Sequence, residues 1–192
     1  LDDHSLKCWG KNDVGQLGSE VRISSQGNDP LDRLSDMPAV RLGTGRSAKS
    51  VALGGAHTCA ILDNGQVKCW GSNAKGQLGL TGVFEVGREP NSMGDNLPFV
   101  NLGANLTAIA IDAGEQHTCV LLNNSSVKCW GKNDVGQLGL GDAISRGYTN
   151  TMNNLPAVQL GTGRYAQAIS IDGEHSCALL DNGAVKCWGD NQ

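Results

Sequence analysis

The chain has 192 residues and a formal net charge of −4, which lacks the basic footprint that nucleic-acid binding usually needs. No apolar run approaches the ~20 residues required for a membrane span, so we expect neither a nucleic-acid partner nor a transmembrane segment. The 27 glycines and 5 prolines indicate many short elements joined by tight turns, a composition that favours an all-β chain.

The chain contains an internal repeat of roughly 60 residues. Each copy is marked by Lys-Cys-Trp-Gly and then Gly-Gln-Leu-Gly, and the marker tryptophans stand at positions 9, 70, 130 and 188. A long and regular period predicts stacked supersecondary units. We therefore expect a single repeat domain over residues 1–192. It comprises the end of a preceding repeat and three further repeats, at 1–18, 19–79, 80–139 and 140–192, of which the last is incomplete.

Four strands are predicted in each repeat. In the first full copy they are Ala39–Leu42, Ser47–Leu53, His57–Leu62 and Gln66–Trp70. The first two alternate apolar and polar residues, which is typical of a half-buried strand. The third is apolar almost throughout, which indicates a strand covered on both faces. Four short strands in a repeated unit predict a β-propeller with about three four-stranded blades.

The third and fourth predicted strands are joined by a tight turn. Asp63-Asn64-Gly65 and Asp181-Asn182-Gly183 each end in the glycine that suits a hairpin turn with a left-handed position. The middle copy, Asn123-Asn124-Ser125, lacks this glycine, at a cost of about 1 kcal/mol. A turn centred on Asn64 places Cys59 opposite Cys69 in adjacent antiparallel strands.

The seven cysteines follow the repeat. Six of them form pairs of identical spacing, Cys59 with Cys69, Cys119 with Cys129, and Cys177 with Cys187. Cys8 corresponds to the second member of a pair whose first member would lie before Leu1. Disulfides, zinc ligation and buried free thiols are three interpretations, and the closely spaced pairs that zinc prefers are absent from the sequence. The identical spacing favours disulfides, each worth about 2.5–3 kcal/mol, and hence an oxidising compartment.

Three long segments follow the Gly-Gln-Leu-Gly markers, Ser19–Met37, Leu80–Leu97 and Leu140–Leu155. Loops beyond about 12–15 residues are uncommon in compact domains and are often functional. Because these segments differ most among the copies, we predict that they form a composite binding surface on a common face of the propeller. The candidate partner-binding residues, chosen because Arg and Tyr are frequent at interaction hot spots, are Arg22, Arg33, Arg88, Arg146 and Tyr148.

Three triplets match the pattern of an N-glycosylation acceptor, and they begin at Asn105, Asn123 and Asn124. The last two lie in the hairpin turn that lacks its glycine, a position that we expect to be exposed. Glycosylation at any of the three requires a eukaryotic secreted chain.

The sequence predicts no catalytic, metal or cofactor site. His57, His117 and His175 recur in every copy, and a residue needed once for catalysis has no reason to recur. We therefore interpret them as blade-corner residues that bond to backbone. The repeated tryptophans are expected to pack the blades, and the repeated glutamines to hold their turns. Nucleophile elbows, phosphate-binding loops and EF-hand loops are all missing from the sequence.

The recurring motifs together resemble the regulator of chromosome condensation repeat, over nearly the whole chain. The matching residues are His57-Thr58-Cys59-Ala60, Asp63-Asn64-Gly65, Val67-Lys68-Cys69-Trp70-Gly71, Asn73 and Gly76-Gln77-Leu78-Gly79. The resemblance implies a β-propeller, commonly seven-bladed, with four-stranded blades. Since three repeats cannot close such a ring, we expect a fragment, an open arc or part of an assembly. The founding member is a nuclear exchange factor for a small GTPase, whereas the paired cysteines are more similar to those of secreted relatives.

We therefore predict a non-enzymatic scaffold that is secreted, at the cell surface or lumenal. Its partner would be a protein or a glycan bound through the long loops, and other copies of the chain are further candidate partners. A structural subunit of an extracellular filament or surface assembly is one alternative function. An intracellular regulator, such as a guanine-nucleotide exchange factor, is another.

Overall fold

The computed structural model describes residues 4–149 and 152–191. Leu1–Asp3, in the predicted end of a preceding repeat, and Asn150, Thr151 and Gln192, in the predicted third repeat, lie outside the described residues. The strands are β1 (Gly10–Lys11), β2 (Ser25–Gln26), β3 (Ala48–Leu53), β4 (His57–Leu62), β5 (Val67–Ser72), β6 (Glu85–Val86), β7 (Ala108–Ala113), β8 (His117–Leu122), β9 (Val127–Gly131), β10 (Ala166–Asp172), β11 (His175–Leu180) and β12 (Val185–Gly189). Short 3-10 turns at Gly94–Asn96 and Met152–Asn154 are the helical elements of the described part.

The strands form successive antiparallel sheets, which confirms the all-β prediction. The first complete blade is the four-stranded sheet β3-β4-β5-β6, and the next two sheets are β7-β8-β9 and β10-β11-β12. In the second blade a single bridge between Gly131 and Arg146 stands where β6 stands in the first. The pair β1-β2 lies before the first blade. The inner strands β3, β7 and β10 lie next to one another, so the blades are arranged side by side.

The hairpins follow the predicted register. Cys59 faces Cys69 across β4 and β5, and the same pairing recurs in the next two blades. Gly65 has φ of 77°, in the left-handed region where a side chain is unfavourable. Ser125 takes the equivalent position in the second blade with φ of 63°, and the turn survives without its glycine.

The central strands of the first two blades are covered on both faces, as the apolar runs predicted. All residues of β4 and β8 are buried. Trp70 and Trp130 are fully buried in the core, which agrees with the packing role expected for the repeated tryptophans. The marker motif therefore contributes to the core of the first two blades, whereas in the third blade Lys186 and Cys187 are exposed and Trp188 is half-buried.

The predicted strand Ala39–Leu42 is wrong. Val40 and Leu42 are buried as the alternation required, but the backbone bonds of the segment go to different partners and form no ladder. Val40 N–H donates to the Leu6 carbonyl, and the Arg41 carbonyl accepts from Gly94 N–H. Val100 and Val158 make bonds equivalent to that of Val40, to Val67 and Val127. The segment is therefore not a strand, and the fourth strand of the first blade is β6, inside the long segment Leu80–Leu97.

The long segments run along the outer edges of the blades and not over a common face. The second segment begins after the C-terminal end of β5 and pairs through β6 with Gly71 and Ser72. The chain then returns to the N-terminal end of β5, where Val100 N–H bonds to the Val67 carbonyl. Each segment therefore covers the outer edge of a sheet. We call the surface formed by residues 19–37, 80–97 and 140–149 the rim surface.

Candidate functional site

A polar network joins each blade to the next. His57 Nε2 lies 2.9 Å from the Thr118 hydroxyl, which donates in turn to the Gln77 carbonyl at 2.9 Å. Trp130 Nε1–H donates to the same carbonyl at 3.0 Å. Because the hydroxyl has given its one proton to Gln77, it accepts from His57, so the imidazole carries its proton on Nε2. His57 therefore bonds to a side chain of the next blade and not to backbone, contrary to our interpretation.

The same network recurs one blade later. His117 Nε2 bonds to the Ser176 hydroxyl at 2.9 Å, and Ser176 donates to the Gln137 carbonyl. Burial, and the nearby His117, lower the pKa of His57 to about 4. Burial lowers the pKa of His117 to about 4 as well, with smaller effects of His175 and Lys132. Both rings are therefore neutral at pH 7 and act as structural donors.

The structure contains three disulfides, Cys59–Cys69, Cys119–Cys129 and Cys177–Cys187. The first two are fully buried, whereas Cys177 is half-buried and Cys187 is exposed. Cys8 has a free thiol, and burial raises its pKa to about 11. A protonated, half-buried thiol of this kind is a poor nucleophile.

Two marker-motif lysines, Lys68 and Lys128, donate to backbone carbonyls outside their own strands. Lys68 is almost fully buried, and its Nζ donates to the Gly94 carbonyl at 2.7 Å and lies 4.6 Å from the centre of the Phe99 ring. Burial lowers the pKa of Lys68. In the next blade Lys128 Nζ donates to the Leu102 carbonyl at 2.8 Å. The Lys68 bond therefore fixes the second long segment to the first sheet, whereas the Lys128 bond holds the stretch that follows this segment.

Neighbouring segments of the rim surface are also joined to each other. Glu20, in the first segment, accepts two hydrogen bonds from Arg41 at 2.6 and 2.8 Å and one from Met93 N–H at 3.1 Å. Glu20 N–H donates to the Gly87 carbonyl at 2.8 Å. Burial raises the pKa of Glu20, but the bonds from Arg41 and Met93 outweigh it and the net pKa is lowered. The carboxylate thus clamps the first segment to the second.

An aromatic contact joins the second and third segments. The rings of Phe84 and Tyr148 have centroids 5.2 Å apart and are tilted by 45°. Gly82 N–H also donates to the Tyr148 carbonyl at 3.2 Å. Phe84 is nevertheless 70% exposed, so most of its ring faces solvent. The rim surface is thus continuous from one blade to the next.

Two family models match the chain. A model described as the Regulator of chromosome condensation (RCC1) repeat matches residues 48–77, 108–137 and 168–192, and a second model of the same repeat matches residues 64–121. Together they cover more than half of the sequence. The chain belongs to the RCC1 repeat family.

Curated relatives with RCC1 repeats are much longer than this chain. The probable E3 ubiquitin-protein ligase HERC6 of Homo sapiens is 36% identical over 139 residues, which cover 71% of this chain and 12% of the ligase. The E3 ubiquitin-protein ligase HERC2 of Homo sapiens is 27% identical over 181 residues, or 94% of this chain and 3% of the ligase. The likeness is therefore to a small part of each ligase, and this chain is an RCC1 repeat domain.

Solved RCC1-type propellers share the fold. Yeast RCC1 (Prp20), solved with Kap60, has a TM-score of 0.65 at 21% identity, over 94% of this chain and 38% of that chain. Human WBSCR16 has a TM-score of 0.65 at 21% identity, over 94% of this chain and 41% of that chain. Identities this low show the β-propeller fold alone.

The five candidate partner-binding residues have different surroundings on the RCC1 blades. Arg22 is exposed and pairs with Glu89 of the neighbouring segment at 2.7 Å, and Arg33 is exposed. Arg88 is half-buried, 3.5 Å from Glu85. Arg146 is largely enclosed by its own segment, where it binds Asp142 at 2.7 Å and contacts the Ile144 carbonyl. Tyr148 lies against Phe84. The side chain of Arg146 therefore stabilises the conformation of its own segment.

Sequence reasoning missed Phe84 and Ile144, the exposed apolar side chains of the second and third segments. Ile144 is 61% exposed. The sequence signal that could have identified Phe84 is the scarcity of aromatics, since one of the 2 Phe residues of the chain lies in a variable segment. Large apolar residues exposed on a defined surface indicate a binding site more strongly than scattered charges do.

The predicted glycosylation candidates Asn105, Asn123 and Asn124 are all exposed and lie at the end of the second blade where β8 turns into β9. Among the described residues there is no cluster of three or more metal-ligating side chains. No helix within residues 4–149 and 152–191 is long and apolar enough to cross a membrane.

Proposed function

We propose that this RCC1-repeat chain is a non-enzymatic scaffold of an oxidising compartment, secreted, at the cell surface or lumenal, and that it binds a protein through the rim surface. The three disulfides support the compartment, since such bonds persist in oxidising surroundings. The binding of Kap60 by yeast RCC1 supports the use of this fold for protein recognition.

The observation that carries the binding proposal is the Phe84–Tyr148 pair. Two segments from successive blades meet there, and the larger part of the Phe84 ring lies in solvent. A half-fixed aromatic loses little side-chain entropy when a partner covers it, which is typical of protein hot spots. Because the two rings are tilted by 45°, they do not form one flat platform.

The test compares Phe84→Ser with the matched control Ile109→Ser, which removes an exposed apolar side chain from the inner strand β7. Each immobilised protein is incubated with the extracellular and cell-surface fraction of its natural source, and bound proteins are quantified by mass spectrometry. We expect the wild type and Ile109→Ser to retain equal amounts of one partner protein. Phe84→Ser should retain at least about tenfold less of it, as for loss of a hot spot. Equal retention by all three proteins, or binding of glycans alone, contradicts the proposal.

A structural subunit that assembles blade against blade is a second candidate function. Leu53 of the first blade is 67% exposed, whereas its counterpart Ala113 is 7% exposed because the first blade packs on it. A cavity of about 510 Å³ lies beside Leu53 and Trp9. Sedimentation at increasing concentration tests this function. Assembly predicts larger species that Leu53→Lys abolishes, and a concentration-independent monomer contradicts it.

A further inference from the structure

We propose that Asn124 is the principal N-glycosylation acceptor of the chain, ahead of Asn105 and Asn123. The inference rests on the secretory compartment of the proposed function. The three triplets are equivalent as sequence patterns, but their hydrogen bonds are not equivalent.

Asn124 lies at the tip of the β8-β9 hairpin and is exposed. Its Oδ1 accepts the Ser126 N–H at 3.1 Å and the Ser126 hydroxyl at 2.7 Å. The asparagine and the hydroxyl residue of the triplet are thus already in contact, in the Asx-turn that short polar side chains form with their own backbone. Among the described residues no hydrogen bond occupies the Nδ2 of Asn124. The reacting nitrogen is therefore free on an exposed turn.

The amide of Asn123 is engaged instead. Its Nδ2 donates to the Asn105 carbonyl at 3.2 Å, and its Oδ1 accepts the Thr107 N–H at 3.3 Å. The first bond engages one of the two N–H groups on the nitrogen that glycosylation requires. The second takes the Thr107 N–H that an Asx-turn at Asn105 would need. Neither of these triplets has the contact that Asn124 makes with Ser126.

The Asn124 turn belongs to a hairpin that is local in sequence. Asn64 and Asn182 accept the equivalent backbone bonds in the other blades, so the turn is a property of the repeat. Hairpins close in about 1–10 μs, whereas a ribosome adds about 5–20 residues per second. Hairpin closure is therefore much faster than synthesis, so the chain samples the turn once both strands have emerged, when it meets a transferase. Of the three hairpins only this one has a hydroxyl two residues after its central asparagine.

The donor would be a lipid-pyrophosphate-linked oligosaccharide. The Asn124 Nδ2 forms a bond to the anomeric carbon of the first sugar, and the bond from that carbon to the pyrophosphate oxygen breaks. The lipid pyrophosphate leaves with the electron pair of the broken bond, and Nδ2 loses one proton to a base of the transferase. No oxidant or reductant is involved.

The test is expression of the chain behind a cleavable secretory leader in cultured insect cells, followed by glycopeptide mapping. The leader imposes the compartment, so the result does not depend on where the chain resides naturally. Ser126→Ala removes the Asn124 triplet and introduces the residue found at Ala184. The matched control Ser125→Gly removes the Asn123 triplet, keeps that of Asn124, and introduces the residue found at Gly65.

We expect occupancy at Asn124 to be severalfold higher than at Asn105 or Asn123. It should be lost in Ser126→Ala and retained in Ser125→Gly. An occupancy at Asn124 that is zero, or that does not exceed the other two, overturns the proposal. Free thiols in the naturally produced protein would instead refute the oxidising compartment and leave this result standing.

Discussion

The residues that join the blades act through one repeated hydrogen-bond geometry. A threonine or serine hydroxyl donates to a glutamine carbonyl of the preceding blade and accepts from a histidine Nε2–H. His57 Nδ1 and His117 Nδ1 are buried and lack a partner within the described residues. A proton added to either ring would be buried without a counter-charge, and this explains why the two histidines remain neutral.

Acid should therefore destabilise the blade junctions. Unfolded histidine titrates near pH 6.5, whereas His57 and His117 have folded pKa values of about 4. Between these values the unfolded chain binds more protons, so the free energy of unfolding falls as pH falls. The loss is up to about 1.4 kcal/mol per pH unit for each histidine, and it levels off below about pH 4.

Urea unfolding between pH 7 and 4 measures this loss. We expect His57→Gln to be less stable than the wild type at pH 7 and less sensitive to acid. The exposed His175 gives the control, because His175→Gln should retain the acid dependence of the wild type. If the curves of His57→Gln and the wild type are parallel over this range, the histidine is not the source of the acid sensitivity.

Ser125 is strained by its left-handed backbone. Its counterparts Gly65 and Gly183 have similar φ angles, 77° and 81°, without a side chain. Ser125→Gly should therefore raise the free energy of unfolding by roughly 0.5–1 kcal/mol, once the larger entropy of glycine in the unfolded chain is included. Thermal or urea unfolding measures the change. Destabilisation by Ser125→Gly would contradict this account of the turn.

At the scale of elements, the outer segments are held by polar contacts to the sheets and to one another. The Glu20 clamp reaches from the first segment to Arg41 and to Met93 N–H, and its carboxylate is mostly shielded from solvent. The Arg22–Glu89 pair joins the same two segments but is exposed on both sides. Because it is shielded from solvent, the Glu20 clamp should contribute more to stability than the exposed Arg22–Glu89 pair.

We expect Glu20→Gln to lower the free energy of unfolding by about 1–2 kcal/mol, because bonds to a charged group are lost. The matched variant Arg22→Gln should cost clearly less stability than Glu20→Gln, because the Arg22–Glu89 pair is exposed to solvent. Denaturant unfolding of both variants at low and high salt measures the difference. Equal losses from the two substitutions would count against the clamp.

Elements with a strong local pattern were predictable from the sequence, and those made by distant pairing were not. The bounds of β4 coincide with the predicted His57–Leu62, since a run of apolar residues before a glycine-containing turn specifies both strand and register. β6 has two residues and exists only because Gly71 and Ser72 offer a free edge. Its sequence therefore carries no strand period.

The rim surface was predictable as a set of long variable segments, but its geometry was not. Sequence spacing does not reveal that the segments run along blade edges, because this depends on which end of β5 the chain returns to. The contact between Phe84 and Tyr148 likewise joins residues of different blades. The repeat boundaries at residues 18, 79 and 139 stay a prediction.

At the scale of the whole molecule, the disulfides differ in protection although their spacing is identical. Those of the first two blades lie in the core, and that of the third blade includes the exposed Cys187. A reductant should therefore open Cys177–Cys187 first under native conditions, since access limits thiol exchange. Brief reduction, alkylation and peptide mapping should label these two cysteines before the other four. Simultaneous labelling of all six would contradict the observed burial.

We propose that this RCC1-repeat scaffold is held together by disulfides in an oxidising compartment. The most direct measurement is peptide mapping of the protein from its natural source, alkylated under denaturing conditions without reduction. We expect the cysteines of the three pairs to stay unlabelled and to be recovered as the linked peptides Cys59–Cys69, Cys119–Cys129 and Cys177–Cys187. Alkylation of these six cysteines as free thiols would contradict it.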